Sequence, residues 1–170
     1  REQKDLVSWV KAFKVINESM PAVYALIVGA GPKQSEIQEL IKALDLEGKI
    51  ILPGLQTNTV AYLSAMDIFM MSSQFEGLPI ALLEAMSIGC AIVSTKAGGV
   101  VEVIEHNKNG LLSEVGDSKM LAENCTKILN NTSLRKMLQA AARERVVDAF
   151  SLENMVDELE RCYMELAPKN

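Results

Sequence analysis

The chain has little of what disulfides, metals or membranes require. Its three cysteines, Cys90, Cys125 and Cys162, are far apart and odd in number. That excludes a disulfide framework and any zinc-ligand spacing, and leaves reduced core thiols of a cytosolic protein as the default. The single histidine, His106, stands beside Asn107 and Asn109 and reads as a solvated loop residue. Asp-x-Asp pairs are absent, and so are low-complexity tracts, which argues against disorder. The longest apolar runs, such as residues 23–28, are too short to span a bilayer. An opening of Arg1-Glu2-Gln3-Lys4 is not expected to be a secretory signal. Basic residues number 17 against 22 acidic ones, a formal charge of −5. This balance speaks against a broad nucleic-acid surface and leaves room only for a local phosphate pocket.

What is present is a core and an alternation. A chain of 170 residues, 49% of them hydrophobic, is enough for one packed domain. Short β-rich apolar runs at 24–28, 49–52, 67–71, 90–94 and, more weakly, 110–113 read as buried parallel strands. Helix-period segments lie between them at 5–19, 33–44, 59–65, 79–88 and 100–105. Strands alternating with helices predict an α/β, Rossmann-like open parallel sheet with helices on both faces. Beyond Asp117 the β signal stops, and carboxyl-terminal helices are expected at 118–129, 134–147 and 151–166. No linker or repeat divides 1–170, so one domain is expected.

Open parallel sheets bind ligands at the carboxyl ends of their strands. The richest loop there is Ser72-Ser73-Gln74-Phe75-Glu76-Gly77-Leu78-Pro79, which runs directly into a helix. Pro79 suits the first helical position, where an N–H has no partner, and Gly77 permits close approach of a ligand. The amides of Ile80, Ala81 and Leu82 are then expected free at a positive helix end, suited to a diphosphate. Glu76 and Glu84 bracket that helix start. Glu84 interrupts an apolar stretch, where a carboxylate is costly to bury unless it accepts strong hydrogen bonds, such as those of a ribose diol; the alternative is that it reaches solvent or a lysine. Gly29-Ala30-Gly31-Pro32 follows a strand but lacks the third glycine of a dinucleotide fingerprint, having Gln34 instead. A tight turn remains the simpler account, and a flavin or nicotinamide oxidoreductase is disfavoured. Gly98-Gly99 reads equally as a close approach to a ligand or neighbour and as a structural turn. Lys4, by its own context, reads as an exposed lysine.

Taken together, Ser73-Gln74-Phe75-Glu76-Gly77-Leu78-Pro79, Leu83-Glu84-Ala85-Met86-Ser87-Ile88-Gly89 and Ala97-Gly98-Gly99-Val100-Val101-Glu102-Val103-Ile104 strongly resemble the group 1 retaining glycosyltransferases. These have the GT-B fold, two Rossmann-like domains facing across a cleft. Ile27-Val28-Gly29-Ala30-Gly31-Pro32, Asn109-Gly110-Leu111-Leu112 and Phe150-Ser151 agree as well, although the family often has an acidic residue at the place of Ala30. The resemblance implies the carboxyl-terminal, donor-binding half of such an enzyme, with a nucleotide diphosphate sugar as donor substrate, no metal and no other cofactor. It implies that Glu84 holds the ribose hydroxyls and that Glu76 contacts the transferred sugar. Gly77, Leu78, Pro79, Ile80 and Ala81 would address sugar hydroxyls and phosphates, together with the Gly29 and Gly31 turn. Lys4 would neutralise the leaving diphosphate, and Leu55 and Gln56 would cradle the base.

The family also has a strand and a Gly-Arg pair upstream of this lysine, and an acceptor-binding amino-terminal domain. None of these is in the sequence, and Arg1 is too close to Lys4 to replace the arginine. The expectations that follow are that the polypeptide alone transfers no sugar and that the sheet lacks a strand at its middle. Unpaired edges would favour self-association. Residues 151–166, striped with Met155, Leu159 and Cys162, would cross to the amino-terminal domain. The acceptor would be a glycan or lipid-linked glycan, with the full-length enzyme cytoplasmic or peripheral at the inner face of the membrane. Nucleotide-sugar epimerases and non-catalytic nucleotide-binding modules remain alternatives.

Overall fold

The computed structural model describes residues 2–167, so Arg1 lies outside the described residues. A short 3-10 turn, Glu2–Lys4, precedes α1 (Leu6–Ser19). There follow β1 (Ala25–Val28), α2 (Gln34–Ala43), β2 (Ile50–Gly54), α3 (Thr59–Ser64), β3 (Ile68–Met71), α4 (Ile80–Ile88) and β4 (Ala91–Thr95). Then come α5 (Val100–Val103), β5 (Leu111–Ser113), α6 (Ser118–Leu129), α7 (Thr132–Ala149) and α8 (Leu152–Leu166). Every expected element is found. The largest departure at a helix start is α7, which begins at Thr132 because Asn131 caps it by accepting the Leu134 N–H.

All strand pairs are parallel, in the orders β1-β2 and β3-β4-β5. β4 explains the layering. Its Ala91 and Val93 join α1, α6 and Leu138 of α7 on one face, and Ile92 joins α3, α4, α5 and the end of α7 on the other. A strand covered on both faces has no polar side to show, so five consecutive buried residues are its signature. Leu82, Met86 and Ile92 are fully buried here, each contributing about 1.5–3 kcal/mol. The third cluster packs Trp9, Val10 and Phe13 of α1 against Ala25, Ile37, Ile41 and Ile50.

Among the described residues no strand lies between the β1-β2 pair and the β3-β4-β5 group. β1 and β3 do not pair; between them runs a cavity of about 730 Å³, walled by Tyr24 to Gly29 on one side and Asp67 to Ser73 on the other. The indole N–H of Trp9 reaches into this region to donate to the Met70 carbonyl at 2.8 Å, satisfying one β3 group that a neighbouring strand would otherwise address. At the far end of the chain α8 has no buried residue; Met155, Leu159 and Tyr163 are exposed.

Candidate functional site

The site grows from the carboxyl end of β3. Ser72 and Ser73 are buried hydroxyls, and both are spoken for. Ser72 Oγ donates to the carbonyls of Lys4 and Asp5 at 2.9 Å each. The Ser73 carbonyl accepts from Thr95 Oγ1 at 2.6 Å, which ties the loop to the end of β4. On the other side the 3-10 turn is stitched to the loop. Gln74 N–H donates to the Gln3 carbonyl at 2.8 Å, and Gln3 Nε2 donates to the Phe75 carbonyl at 2.9 Å. Asp5, with φ 44° and ψ 54°, turns the chain out of this seam and caps α1 through Ser8 N–H.

These anchors present Glu76. Its Oε1 accepts from Lys4 Nζ at 2.7 Å and from Ser73 Oγ at 2.6 Å, and its Oε2 accepts from Gln3 Nε2 at 3.3 Å. The carboxylate is 7% exposed and the lysine side chain 42%. A carboxylate so enclosed needs its donors, and the three supplied here are charge-assisted. The lysine that reads as merely exposed in the sequence is an ion-pair partner.

Several expectations about the helix start are corrected. Pro79 is not the first helical residue but the N-cap, because its ψ of 103° is extended. Leu82 N–H is not free; it donates to the Pro79 carbonyl at 2.9 Å, tightening the first turn. The helix head therefore offers the amides of Ile80 and Ala81. Nothing lies within 4 Å of a Cβ built on Gly77, so its own space is open. Glu84 is exposed, so it carries no burial cost, and its side chain is open to solvent and to a ligand alike.

Lys4, Gly29, Gly31, Ala81 and Glu84 line one cleft, continuous with the cavity between β1 and β3. Glu76 joins this group through Lys4. Leu55, Gln56, Gly77, Leu78, Pro79 and Ile80 do not line it. Gln56 is turned away, its amide donating to the Pro53 carbonyl at 2.8 Å, while Leu55 stands fully out at the rim. The glycine turn is tied to its neighbour by Gly29 N–H donating to the Gly54 carbonyl at 2.8 Å, with Gly29 at φ 129° where a side chain is strained.

Gln3, Ser72, Ser73, Thr95 and Lys33 belong to the site or its supports, and sequence reasoning missed their roles. Lys33 lines the same cleft and faces Glu2 at 3.3 Å and Glu36 at 3.6 Å; the hydrogen bond it donates to Glu2 foremost holds its ammonium above its ordinary pKa. The Gly29–Lys33 run was the available signal for it. His106 is exposed but not merely solvated: its Nδ1 accepts Leu112 N–H at 2.9 Å and fixes the approach to β5.

A parallel α/β sheet gathering a cation, two carboxylates and glycine turns at its carboxyl rim defines a Rossmann-like domain. The chain belongs to the group 1 glycosyl transferases, whose family model matches residues 1–145. It is 33% identical over 166 residues to the N-acetyl-alpha-D-glucosaminyl L-malate synthase of Bacillus anthracis, covering 98% of this chain and 43% of that protein. The carboxyl-terminal domain of the Francisella tularensis group 1 protein LpcC superposes with a TM-score of 0.82 at 27% identity, over 89% of this chain and 82% of that one. S. aureus TarM, solved with UDP, fondaparinux and alpha-GlcNAc-glycerol, superposes with a TM-score of 0.88 at 25% identity, over 94% of this chain and 32% of TarM. The fold is that of the carboxyl-terminal half of a GT-B glycosyltransferase. The chain spans less than half the length of the curated relatives it matches. Among the described residues no helix is long and apolar enough to cross a membrane.

Proposed function

We propose that this chain is the donor-binding domain of a retaining glycosyltransferase that moves a sugar from a nucleotide diphosphate sugar to a glycan or lipid-linked glycan. The observation that carries the reading is the shared cleft: Lys4, Glu84, the Gly29 and Gly31 turn and Ala81 at the head of α4 all face one space in a chain of this family. The UDP bound by TarM supports a nucleoside diphosphate as the ligand class. The acceptor would sit on an amino-terminal domain, to which α8 crosses with its uncovered apolar side. The full-length enzyme would work in the cytoplasm or at the inner face of the membrane.

Cleaving the bond between sugar and phosphate builds negative charge on the departing diphosphate. Lys4 Nζ has one proton committed to Glu76 and two remaining for phosphate oxygens, and the Ile80 and Ala81 amides add the positive end of α4. Charge stabilisation of this kind is the oxyanion-hole type and requires no metal. Glu84 would accept from the ribose hydroxyls. Glu76, with Oε1 engaged twice and Oε2 once, fits a group that positions the sugar better than a free nucleophile.

Calorimetric titration with a panel of nucleoside diphosphates, on the wild type and on Glu84→Gln, tests this. One nucleotide should bind, and Glu84→Gln should weaken it by about tenfold or more, since hydrogen bonds to a charged group contribute about 1.5–3 kcal/mol. Equal affinity in the two proteins removes Glu84 from the site. Absence of binding by the whole panel at millimolar concentration sinks the donor-domain reading.

A further inference from the structure

The Gly98-Gly99 turn lies directly beneath the Glu76–Leu78 loop. Gly99 N–H donates to the Glu76 carbonyl at 3.0 Å. A Cβ built on Gly98 would overlap the Glu76 carbonyl oxygen, and one on Gly99 would overlap the Gly77 oxygen and stand 2.8 Å from its carbonyl carbon. Gly98 has φ +55°, where glycine is favoured by conformation alone. Gly99 is different. At φ −61° and ψ −7° it lies in the right-handed region that any residue adopts, so conformation gives no reason for glycine there. The reason is space.

The atoms that a side chain would meet are backbone, not the flexible end of another side chain. The loop above them is clamped from its other side by Gln3, Lys4 and Ser73. A methyl group at either glycine would therefore lift the Glu76–Leu78 backbone and move both the Glu76 carboxylate and the approach to α4. We infer that Gly98 and Gly99 are positioning residues: their bare backbone sets the height of the Glu76–Leu78 loop and so aligns Glu76 and the α4 amides on one donor. This deepens the donor-binding reading and, for its effect on ligand, rests on it.

Gly116 supplies the control. It has φ +83° but open space around its Cβ position, so Gly116→Ala carries backbone strain without touching the loop. The experiment compares wild type, Gly99→Ala, Gly98→Ala and Gly116→Ala by backbone amide NMR and by titration with UDP and UDP-glucose. Gly99→Ala and Gly98→Ala should shift the amides of residues 74–82 while leaving those of α6 unmoved, and Gly116→Ala should leave residues 74–82 as in the wild type. Affinity for whichever of UDP and UDP-glucose the wild type binds should fall by about tenfold, the loss of about one hydrogen bond to a charged group. Wild-type amide positions for residues 74–82 in Gly99→Ala overturn the inference whether or not any ligand binds, and so does an equal loop shift in Gly116→Ala. A wild type that binds neither nucleotide counts against the donor reading alone, and the amide shifts still decide the role of the glycines. If the alanine variants do not fold, hydrogen exchange in the wild type decides: Gly99 N–H must be protected like the amides of β4, and fast exchange refutes the contact.

Discussion

Lys4 and Glu76 are 72 residues apart in sequence and 2.7 Å apart in space, and the two halves of the pair are not equally replaceable. The carboxylate is the enclosed partner at 7% exposure; the lysine is 42% exposed. In Glu76→Gln the amide keeps the shape and the Ser73 bond, and the ammonium rehydrates. The Ser73 bond becomes an ordinary one, and the Gln3 bond is lost because the amide nitrogen at the place of Oε2 cannot accept it, at about 1 kcal/mol each. Solvent around the lysine reduces the total to about 1–2 kcal/mol, or roughly 2–8 °C in Tm for a protein of this size. In Lys4→Met the carboxylate stays enclosed with only Ser73 and Gln3 as donors. Stranding a fully buried charge costs about 3–5 kcal/mol; a pair with one half-exposed member should lose about 3 kcal/mol, roughly 6–12 °C. The double variant removes the stranded charge, so it should be more stable than the sum of the two losses implies by at least about 1 kcal/mol. Thermal melts followed by circular dichroism at neutral pH, in a double-mutant cycle, measure all three. The reasoning fails if Lys4→Met costs no more than Glu76→Gln, or if the two losses add within about 0.5 kcal/mol.

Burial pushes the Cys125 thiol up to about 12, and burial together with Asp67 pushes Cys90 up to about 11, from an ordinary 9.0. Iodoacetamide at pH 8 should thus modify only the exposed Cys162 in the native protein; rapid labelling of either buried thiol contradicts the packing. Because the folded pKa values are raised, the thiol contribution to stability is complete below pH 9 and is lost as pH rises through 11 and 12. Cys125→Ala should flatten that alkaline decline relative to wild type in urea melts. The uncovered face of α8 makes another case. Leu159→Lys should change Tm by less than about 2 °C, since surface substitutions stay within about 0.5 kcal/mol, while lowering the mass found by light scattering; a large loss of Tm means that α8 is packed after all.

The layers of the fold were legible because they are local. Short apolar runs and helical periods need only a few neighbours to be read, and the five consecutive buried residues of β4 are such a run. The site was legible in residue type and less so in geometry. Glu76, Glu84 and Lys4 were identifiable, but the pairing of Lys4 with Glu76 spans too much chain for any spacing rule. Glu84 read as a burial problem because its neighbours in sequence are apolar, yet one turn of α4 puts Leu82 and Ala85 inside and Glu84 outside. Pro79 and Leu82 were misplaced by a single residue for a reason that sequence does not carry, the extended ψ of the proline. Gln56 satisfies its own loop, and local side-chain bonds of that kind are invisible to motif matching.

The ion pair also changes how the cleft must attract an anion. A lysine bonded to an enclosed carboxylate presents little net charge at a distance, because the pair is close to neutral beyond a few ångströms. Long-range attraction of a diphosphate then falls to Lys33, itself shared between Glu2 and Glu36, and to the partial charge at the head of α4. None of these is a strong field, and the chain as a whole is at −5. Recognition of a diphosphate under the proposed function would therefore be short-range and geometric: the remaining protons of Lys4 and the amides of Ile80 and Ala81 would act only once phosphate oxygens were within hydrogen-bond distance. Such a site gains from alignment more than from charge, which is why a rigid loop matters here. Glu76 is held by three side chains from one side, and its backbone rests on two glycines from the other. Its carboxylate orders the lysine, so under the proposed donor-binding role the cation for the leaving group and the acid for the transferred group would be set by one another before either met substrate.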